Sequence, residues 1–168
     1  VQLFPVIKRE RIKNVLEKVH TSLSSWMLAK LSSMLVVGVL SFIGLEILGI
    51  PYPYALALIA ALCSFIPYLG PYIALIPALL VASLIGVDKV IYLIIAYVII
   101  QTIEGYLITP YMEKKLVSLP PALTLVWMLF MGLISGLLGL ILATPILAML
   151  IVLVKELYIK DYLEKEVK

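Results

Sequence analysis

PYALALIAALCSFIPYLGPYIALIPALLVASLIG, residues 53–86, is the stretch that decides how this chain folds. It lies within an uncharged run of 41 residues, Ile47–Val87. As a single helix that run would be roughly 60 Å long, about twice the ~30 Å hydrocarbon core of a bilayer. The run must therefore turn back on itself. Pro67, Gly70 and Pro71 mark the turn, because proline and glycine interrupt a helix.

The composition indicates an all-α, polytopic membrane protein. The 168 residues are 64% hydrophobic and 14% charged, whereas globular domains average about 45–50% and 25%. The net charge is +3, but the basic residues flank the apolar runs and form no stripe along a helix. We interpret them as topology signals and contacts to lipid headgroups, and we expect no nucleic-acid partner. Cys63 is the single cysteine, so an internal disulfide is excluded.

Residues 1–30 predict an amphipathic helix that lies at a membrane surface. Lysine and arginine fill much of its surface, and its apolar positions recur every three or four residues. These apolar residues are Ile12, Val15, Leu16, Val19, Leu23, Trp26 and Met27. A helix packed on protein outside this chain is the alternative. The charged residues 158–168 predict a cytoplasmic tail.

Between these ends, residues 31–157 form the predicted transmembrane module, with spans at 31–50 and 89–108. The arms of the broken hairpin 53–86 are about 20 and 22 Å long at ~1.5 Å per residue, shorter than the hydrocarbon core. This length favours a re-entrant hairpin over two tilted spans. Residues 116–154 form a second broken hairpin or a pair of spans, interrupted by glycines and Pro145.

Proline spacing indicates an internal repeat. Pro53 and Pro77 are 24 residues apart, as are Pro121 and Pro145. Each unit would be one span with a late carboxylate, then a proline, then a broken hairpin. One crossing between the units would invert them relative to each other. The positive-inside rule places both ends of this chain in the cytoplasm.

Glu104 is the strongest candidate for a functional side chain, because ionisable groups inside a membrane are costly. Gln101 lies one turn earlier on the same face. The pair could bind a cation, exchange a proton or hydrogen-bond a polar solute. The alternative is a carboxylate near the interface paired with Lys114 or Lys115. Glu46 is a weaker candidate, since it lies closer to the end of its helix.

The broken segments supply the other candidate site residues. The segment from Pro67 to Pro71 would free backbone groups, and Tyr68 adds a hydroxyl. Its alternative is a plain kink between packed helices. Gly136, Gly139 and Pro145 could form the second break or only allow close helix packing.

Enzymatic chemistry is not expected, and neither a cofactor nor a metal site is predicted. His20 is the single histidine and lies outside the predicted spans, so an intramembrane serine protease would lack its base. Asp88 and Asp161 lie at the edges of spans, which excludes a pair of intramembrane aspartates. No metal-ligand cluster or phosphate-binding glycine loop occurs.

Three stretches resemble the autoinducer-2 exporter family, the PerM-like permeases. They are Phe65–Pro71, then QTIEGY at residues 101–106 with Pro110, then the glycine series that ends in Ala143-Thr144-Pro145. The resemblance covers nearly the whole chain from Pro5 and matches the C-terminal half of family members. It implies export of autoinducer-2, or sodium/proton antiport. The family often has His-Pro after the basic link, but Leu119-Pro120 stands here.

We therefore expect a multi-pass transporter of the cell membrane with its site between the two broken segments. It would export a small polar solute such as autoinducer-2, coupled to an ion or a proton. The alternatives are a sodium (or lithium)/proton antiporter and a membrane scaffold that transports nothing. Its partners would be the lipid bilayer, the solute or monovalent cation, and protons, and a homo-oligomer is compatible with this interpretation.

Overall fold

A computed structural model describes residues 6–110 and 120–156, and their regular elements are helical, which confirms the all-α fold. The helices are α1 (Val6–Leu48), α2 (Pro53–Cys63), α3 (Leu69–Ser83), α4 (Val87–Ile103) and α5 (Pro121–Leu153). A π-helical segment, Glu104–Ile108, continues α4. The described residues form two compact units. We call 28–110 the central unit and 6–27 with 120–156 the terminal unit.

Within the described residues, three helical stretches are long and apolar enough to cross a membrane: Glu10–Leu48, Val87–Ile108 and Pro121–Glu156. The described part of the predicted surface helix, 6–30, and most of the predicted span 31–50 lie on α1, which runs without interruption from Val6 to Leu48. The point at which α1 would enter the bilayer stays a prediction. The long apolar helices agree with a multi-pass membrane protein.

Exposed apolar side chains cover the outer faces of these helices. On α1 within the central unit, the buried positions recur every four residues and are Ser33, Val37, Ser41 and Leu45. One face of the helix therefore points inward. Large apolar side chains on the other faces are exposed: Leu28, Leu35, Val39, Ile43 and Ile47. This pattern suits a helix bundle whose outside contacts lipid tails.

The end of α1 is closed by backbone geometry and by one lysine. Gly49 has a left-handed φ of 65°, its N–H donates to the carbonyl of Glu46, and the N–H of Ile50 donates to the carbonyl of Leu45. These bonds form a Schellman motif, which glycine permits because it has no Cβ. The ammonium of Lys89 donates to the carbonyl of Leu48 at 2.6 Å. The start of α4 is thereby fixed to the end of α1.

The first hairpin turns at residues 64–68, between α2 and α3. The proline and glycine pattern predicted a turn at Pro67, Gly70 and Pro71, but the positive φ belongs to Tyr68, at 63°. Gly70 lies in the first turn of α3, where an added Cβ would collide with the carbonyl of Cys63. Glycine is therefore required there for close backbone approach. Pro71 costs no helical hydrogen bond in a first turn.

Small residues bring the helices of the central unit together. The buried residues of α3 are Gly70, Ala74, Ala78 and Ala82, spaced every four residues. On α1, a Cβ at Gly38 would lie 3.0 Å from the Cβ of Ala61 on α2. Such faces allow backbones to approach closely, which is how helices associate in lipid.

The second hairpin lies within α5 and reverses at Gly136, whose φ and ψ are 59° and −137°. The indole N–H of Trp127 donates to the carbonyl of Ala143 at 3.0 Å. In a straight helix those residues would be about 24 Å apart along the axis. A Cβ at Gly139 would collide with the carbonyl of Met131. The arms are therefore 121–135 and 137–153, antiparallel and in close contact.

Each hairpin, considered by itself, follows the same scheme. The carbonyl that abuts the glycine lies ten residues after the first proline in both, at Cys63 after Pro53 and at Met131 after Pro121. The glycine follows 17 residues after that proline in one hairpin and 18 in the other, so the second turn is one residue longer. The repeat indicated by proline spacing thus recurs in the backbone contacts, while its inversion and membrane depth stay predictions.

Replacing Gly70 by alanine tests the close contact between the arms. We expect Gly70→Ala to lower the free energy of unfolding by about 1–3 kcal/mol, because the new methyl group overlaps the Cys63 carbonyl. Gly105→Ala is the control, since a Cβ there meets nothing within 4 Å. Thermal unfolding in detergent measures both. An unchanged Gly70→Ala midpoint would show that the arms do not pack as described.

Candidate functional site

Glu104 is half-buried and is held by two hydroxyl groups. Ser33 Oγ donates to Glu104 Oε1 at 2.8 Å, and Thr109 Oγ1 donates to the same oxygen at 2.9 Å. Both donors lie in the central unit with Glu104. Lys114 and Lys115, the alternative partners suggested by the sequence, lie outside the described residues. The candidate site is therefore a small cluster of oxygen atoms, which we call the Glu104 cluster.

The π-helical segment places Thr109 beside Glu104. Glu104 begins the segment, and the N–H of Thr109 donates to the Glu104 carbonyl. In an α-helix, residues five apart point in different directions, whereas the i→i+5 bond of a π turn stacks them. Single π turns within α-helices are frequent at functional sites. The unusual backbone thus gives the carboxylate its second hydroxyl partner.

Ser33 reaches the cluster from α1. It is buried on the face that also carries Val37 and Ser41. Sequence analysis did not single out Ser33 or Thr109. Two serines eight residues apart in an apolar span are a signal that points to a polar inner face, but they do not specify the partner helix.

Gln101 lies on the same face of α4 as Glu104 and is half-buried. The structure does not bring Glu46 to this cluster. Glu46 is exposed and lies 13 residues after Ser33 on α1, a separation of about 20 Å along the helix axis. Of the two predicted carboxylates, only Glu104 therefore belongs to a buried polar group of the central unit.

The turn of the first hairpin uses several of its own backbone groups. The Pro67 carbonyl accepts from the N–H of Leu69 at 2.7 Å, and the Ile66 carbonyl accepts from the N–H of Gly70 at 3.0 Å. Tyr68 is 47% exposed and has a positive φ, which costs a non-glycine residue about 1–3 kcal/mol. Strain of this kind is often found at functional sites. The role of residues 67–71 in binding stays a prediction.

The candidates in the second hairpin have distinct structural positions in the terminal unit. Gly136 is exposed at the reversal, Gly139 is buried against the Met131 carbonyl, and Pro145 lies inside the second arm. Gly139 thus provides close packing and Gly136 provides the turn. Whether these residues also bind a solute stays a prediction.

A second buried carboxylate, Glu156, lies in the terminal unit and was not singled out from the sequence. Its Oε2 lies 2.8 Å from Lys18 Nζ and 3.5 Å from Arg11 Nη2. Arg11 also donates to the Glu156 backbone carbonyl at 3.0 Å. Arg11 and Lys18 are seven residues apart and share one face of α1. The polar face of α1 that carries Arg11 and Lys18 therefore contacts Glu156 of the same chain.

The oxygen atoms of the Glu104 cluster are suited to protons, hard monovalent cations and polar solutes. Among residues 6–110 and 120–156, no group of three His, Cys, Asp or Glu side chains could hold a metal ion. A carboxylate and two hydroxyls can exchange donors and acceptors with a bound species.

Comparison with known proteins gives the family. A sequence profile described as "AI-2E family transporter" matches residues 1–159. The chain belongs to this family of transporters. No solved structure matches it significantly.

Curated relatives carry transport names. "Putative transport protein YrrI" of Bacillus subtilis is 34% identical over 88% of this chain and 42% of its own length. "Putative transport protein YueF" of the same organism is 30% identical over 88% of this chain and 40% of its own length. "Putative transport protein MJ1177" of Methanocaldococcus jannaschii is 27% identical over 83% of this chain and 42% of its own length. The chain thus spans less than half the length of these relatives.

Removing the Ser33 hydroxyl tests the Glu104 cluster. We expect Ser33→Ala to lower the free energy of unfolding by about 1–3 kcal/mol, because a half-buried carboxylate loses one of its donors. Ser32→Ala is the matched control, since the Ser32 hydroxyl donates to the Leu28 carbonyl of its own helix. Thermal unfolding of the two variants in detergent provides the comparison. Equal midpoints would contradict the bond between Ser33 and Glu104.

Proposed function

We propose that this protein exports a small polar solute such as autoinducer-2 across the cell membrane, coupled to protons or another ion through Glu104. The observation that carries the proposal is the Glu104 cluster. Its half-buried carboxylate belongs to an apolar helical stretch, Val87–Ile108, that is long enough to span a bilayer, and its two hydroxyls come from Ser33 on α1 and from Thr109, the residue after that stretch. Intramembrane carboxylates in such positions commonly belong to ion or proton pathways.

The chemistry of the cluster supports exchange of a proton for another species. An ionised carboxylate only accepts hydrogen bonds, whereas a protonated one can also donate. A hydroxyl has one donor and two acceptor sites, so Ser33 and Thr109 can donate to the carboxylate or turn their lone pairs toward a cation. Glu104 can therefore release a proton when a cation or a donor group of a solute arrives.

The hairpins supply the second part of the proposal. In many secondary transporters, interrupted helices hold the substrate while repeats move relative to each other. We assign to the solute path the backbone and side chains at the two breaks: Pro67, Tyr68, Gly70 and Pro71 in one, and Gly136, Gly139 and Pro145 in the other. Gln101 would orient the solute or its hydration water beside Glu104. Support comes from the family and from the matching construction of the hairpins.

A sodium (or lithium)/proton antiporter is the second candidate function. It is favoured by the donor set, since carboxylate and hydroxyl oxygens are the ligands that hard cations prefer. In this case the cation would replace the proton on Glu104, and no organic solute would be needed. A proton flux that depends on sodium or lithium alone would separate the antiporter from the exporter.

Substituting Glu104 tests both versions of the proposal. Gln at position 104 keeps the shape but cannot ionise. We expect Glu104→Gln of the complete protein to assemble normally and to lose coupled transport together with its pH dependence. Glu46→Gln, which changes an exposed carboxylate, should have a smaller effect. The measurement is flux into proteoliposomes with a panel of ions and polar solutes.

The same assay decides whether coupling depends on Glu104 at all. Wild-type flux and an unchanged pH profile in Glu104→Gln would make Glu104 a structural residue and refute coupling through it. Absence of any flux in the wild-type protein would favour a membrane scaffold.

A further inference from the structure

Tyr97 is a third polar side chain on the inner face of α4. It lies four residues before Gln101 and seven before Glu104, so the three residues share one helix face. Tyr97 is 5% exposed and packs in the apolar core of the central unit, near Leu45 and Leu93. Its hydroxyl finds no hydrogen-bond partner among the described residues of the chain.

A buried hydroxyl without a protein partner needs an explanation. Such groups are rare in native proteins because an unsatisfied donor or acceptor loses its hydrogen bonds to water. Phenylalanine would fill the same space without this cost. Buried polar groups of this kind commonly bind ordered water. The hydroxyl of Tyr97 is therefore suited to bind water between the helices.

Tyr97 has neighbours in the first hairpin and lies on the same helix as Gln101, which is one turn before Glu104. Tyr97 shares one apolar core cluster with Leu56 of α2 and Ala78 of α3, so both arms of the first hairpin contribute to the core that surrounds it. Along α4, Tyr97 and Gln101 are about 6 Å apart, and Gln101 and Glu104 about 4.5 Å, at ~1.5 Å per residue. Polar side chains at this spacing on one helix face are suited to hydrogen bonding through ordered water.

We propose that the Tyr97 hydroxyl binds water and forms, with Gln101, a hydrogen-bonded path along which protons reach Glu104 from the side of the first hairpin. A tyrosine hydroxyl can accept a proton from one water while donating its own to the next, so no net charge stays on the ring. The Gln101 amide both donates and accepts, and it orients the water beside Glu104. This inference rests on the proposed function of Glu104 and names the route to it.

The test uses the complete protein in liposomes loaded with a pH-sensitive dye. Tyr97→Phe removes only the hydroxyl, and we expect it to slow proton flux roughly two- to tenfold, the factor that corresponds to one neutral hydrogen bond. Its thermal unfolding midpoint should stay the same or rise, because phenylalanine fills the same space and no hydrogen bond to a described protein group is lost. The control is Tyr92→Phe, also on α4 but 52% exposed, which should leave the flux unchanged.

The outcomes separate this inference from the proposed function. Wild-type proton flux in Tyr97→Phe, with flux abolished in Glu104→Gln, would remove Tyr97 from the path and leave the role of Glu104 intact. Wild-type flux in Glu104→Gln would refute the proposed function and this inference with it. Slow flux accompanied by a lower unfolding midpoint in Tyr97→Phe would assign the hydroxyl to folding and overturn the path.

Discussion

The structure depends on the requirement that backbone N–H and C=O groups in a hydrocarbon core must be bonded within the protein. A chain that turns back inside an apolar run meets this requirement only if its turn bonds to itself and its arms shield one another. The first hairpin does so through bonds such as the one from the Gly70 N–H to the Ile66 carbonyl. The end of α1 does so through its Schellman bonds and the ammonium of Lys89.

Close approach of the arms follows from the same requirement, and it explains where glycine occurs. At Gly70 and at Gly139, a Cβ would meet a backbone carbonyl of the preceding arm. Without a hydrophobic driving force between helices in lipid, such contacts supply much of the association. Each hairpin is therefore a tightly packed element.

The Glu104 cluster is a group of polar side chains among the apolar helices of the central unit. The carboxylate is fixed by a hydroxyl from its own π turn and by another from α1. Two donors on one oxygen are readily rearranged, because each hydroxyl can rotate to accept instead of donate. The cluster thus combines a defined position with exchangeable hydrogen bonds, which is the combination that coupling requires.

The sequence was informative about the helices and about Glu104, and less informative about contacts between helices. Each of the two uncharged runs longer than a bilayer predicted a chain reversal, and the structure has one at residues 64–68 and one at Gly136. The same pattern did not show that Tyr68 takes the positive φ. Gly70 is needed for a different reason, close contact with the opposite arm of the hairpin, and the sequence does not reveal that contact. Ser33 was missed since it is 71 residues from Glu104 along the chain, and sequence alone does not fix which turns of two helices meet. The π turn was missed because no local residue pattern specifies it.

Coupling through Glu104 requires this carboxyl group to exchange its proton when a cation or solute binds. Proton release from the detergent-solubilised, complete protein in weakly buffered solution measures this exchange without any need for transport. On addition of the transported ion or solute, we predict release of up to one proton per chain from the wild type and none from Glu104→Gln. Equal proton release by the two proteins would contradict the account, because the exchanged proton would then reside elsewhere.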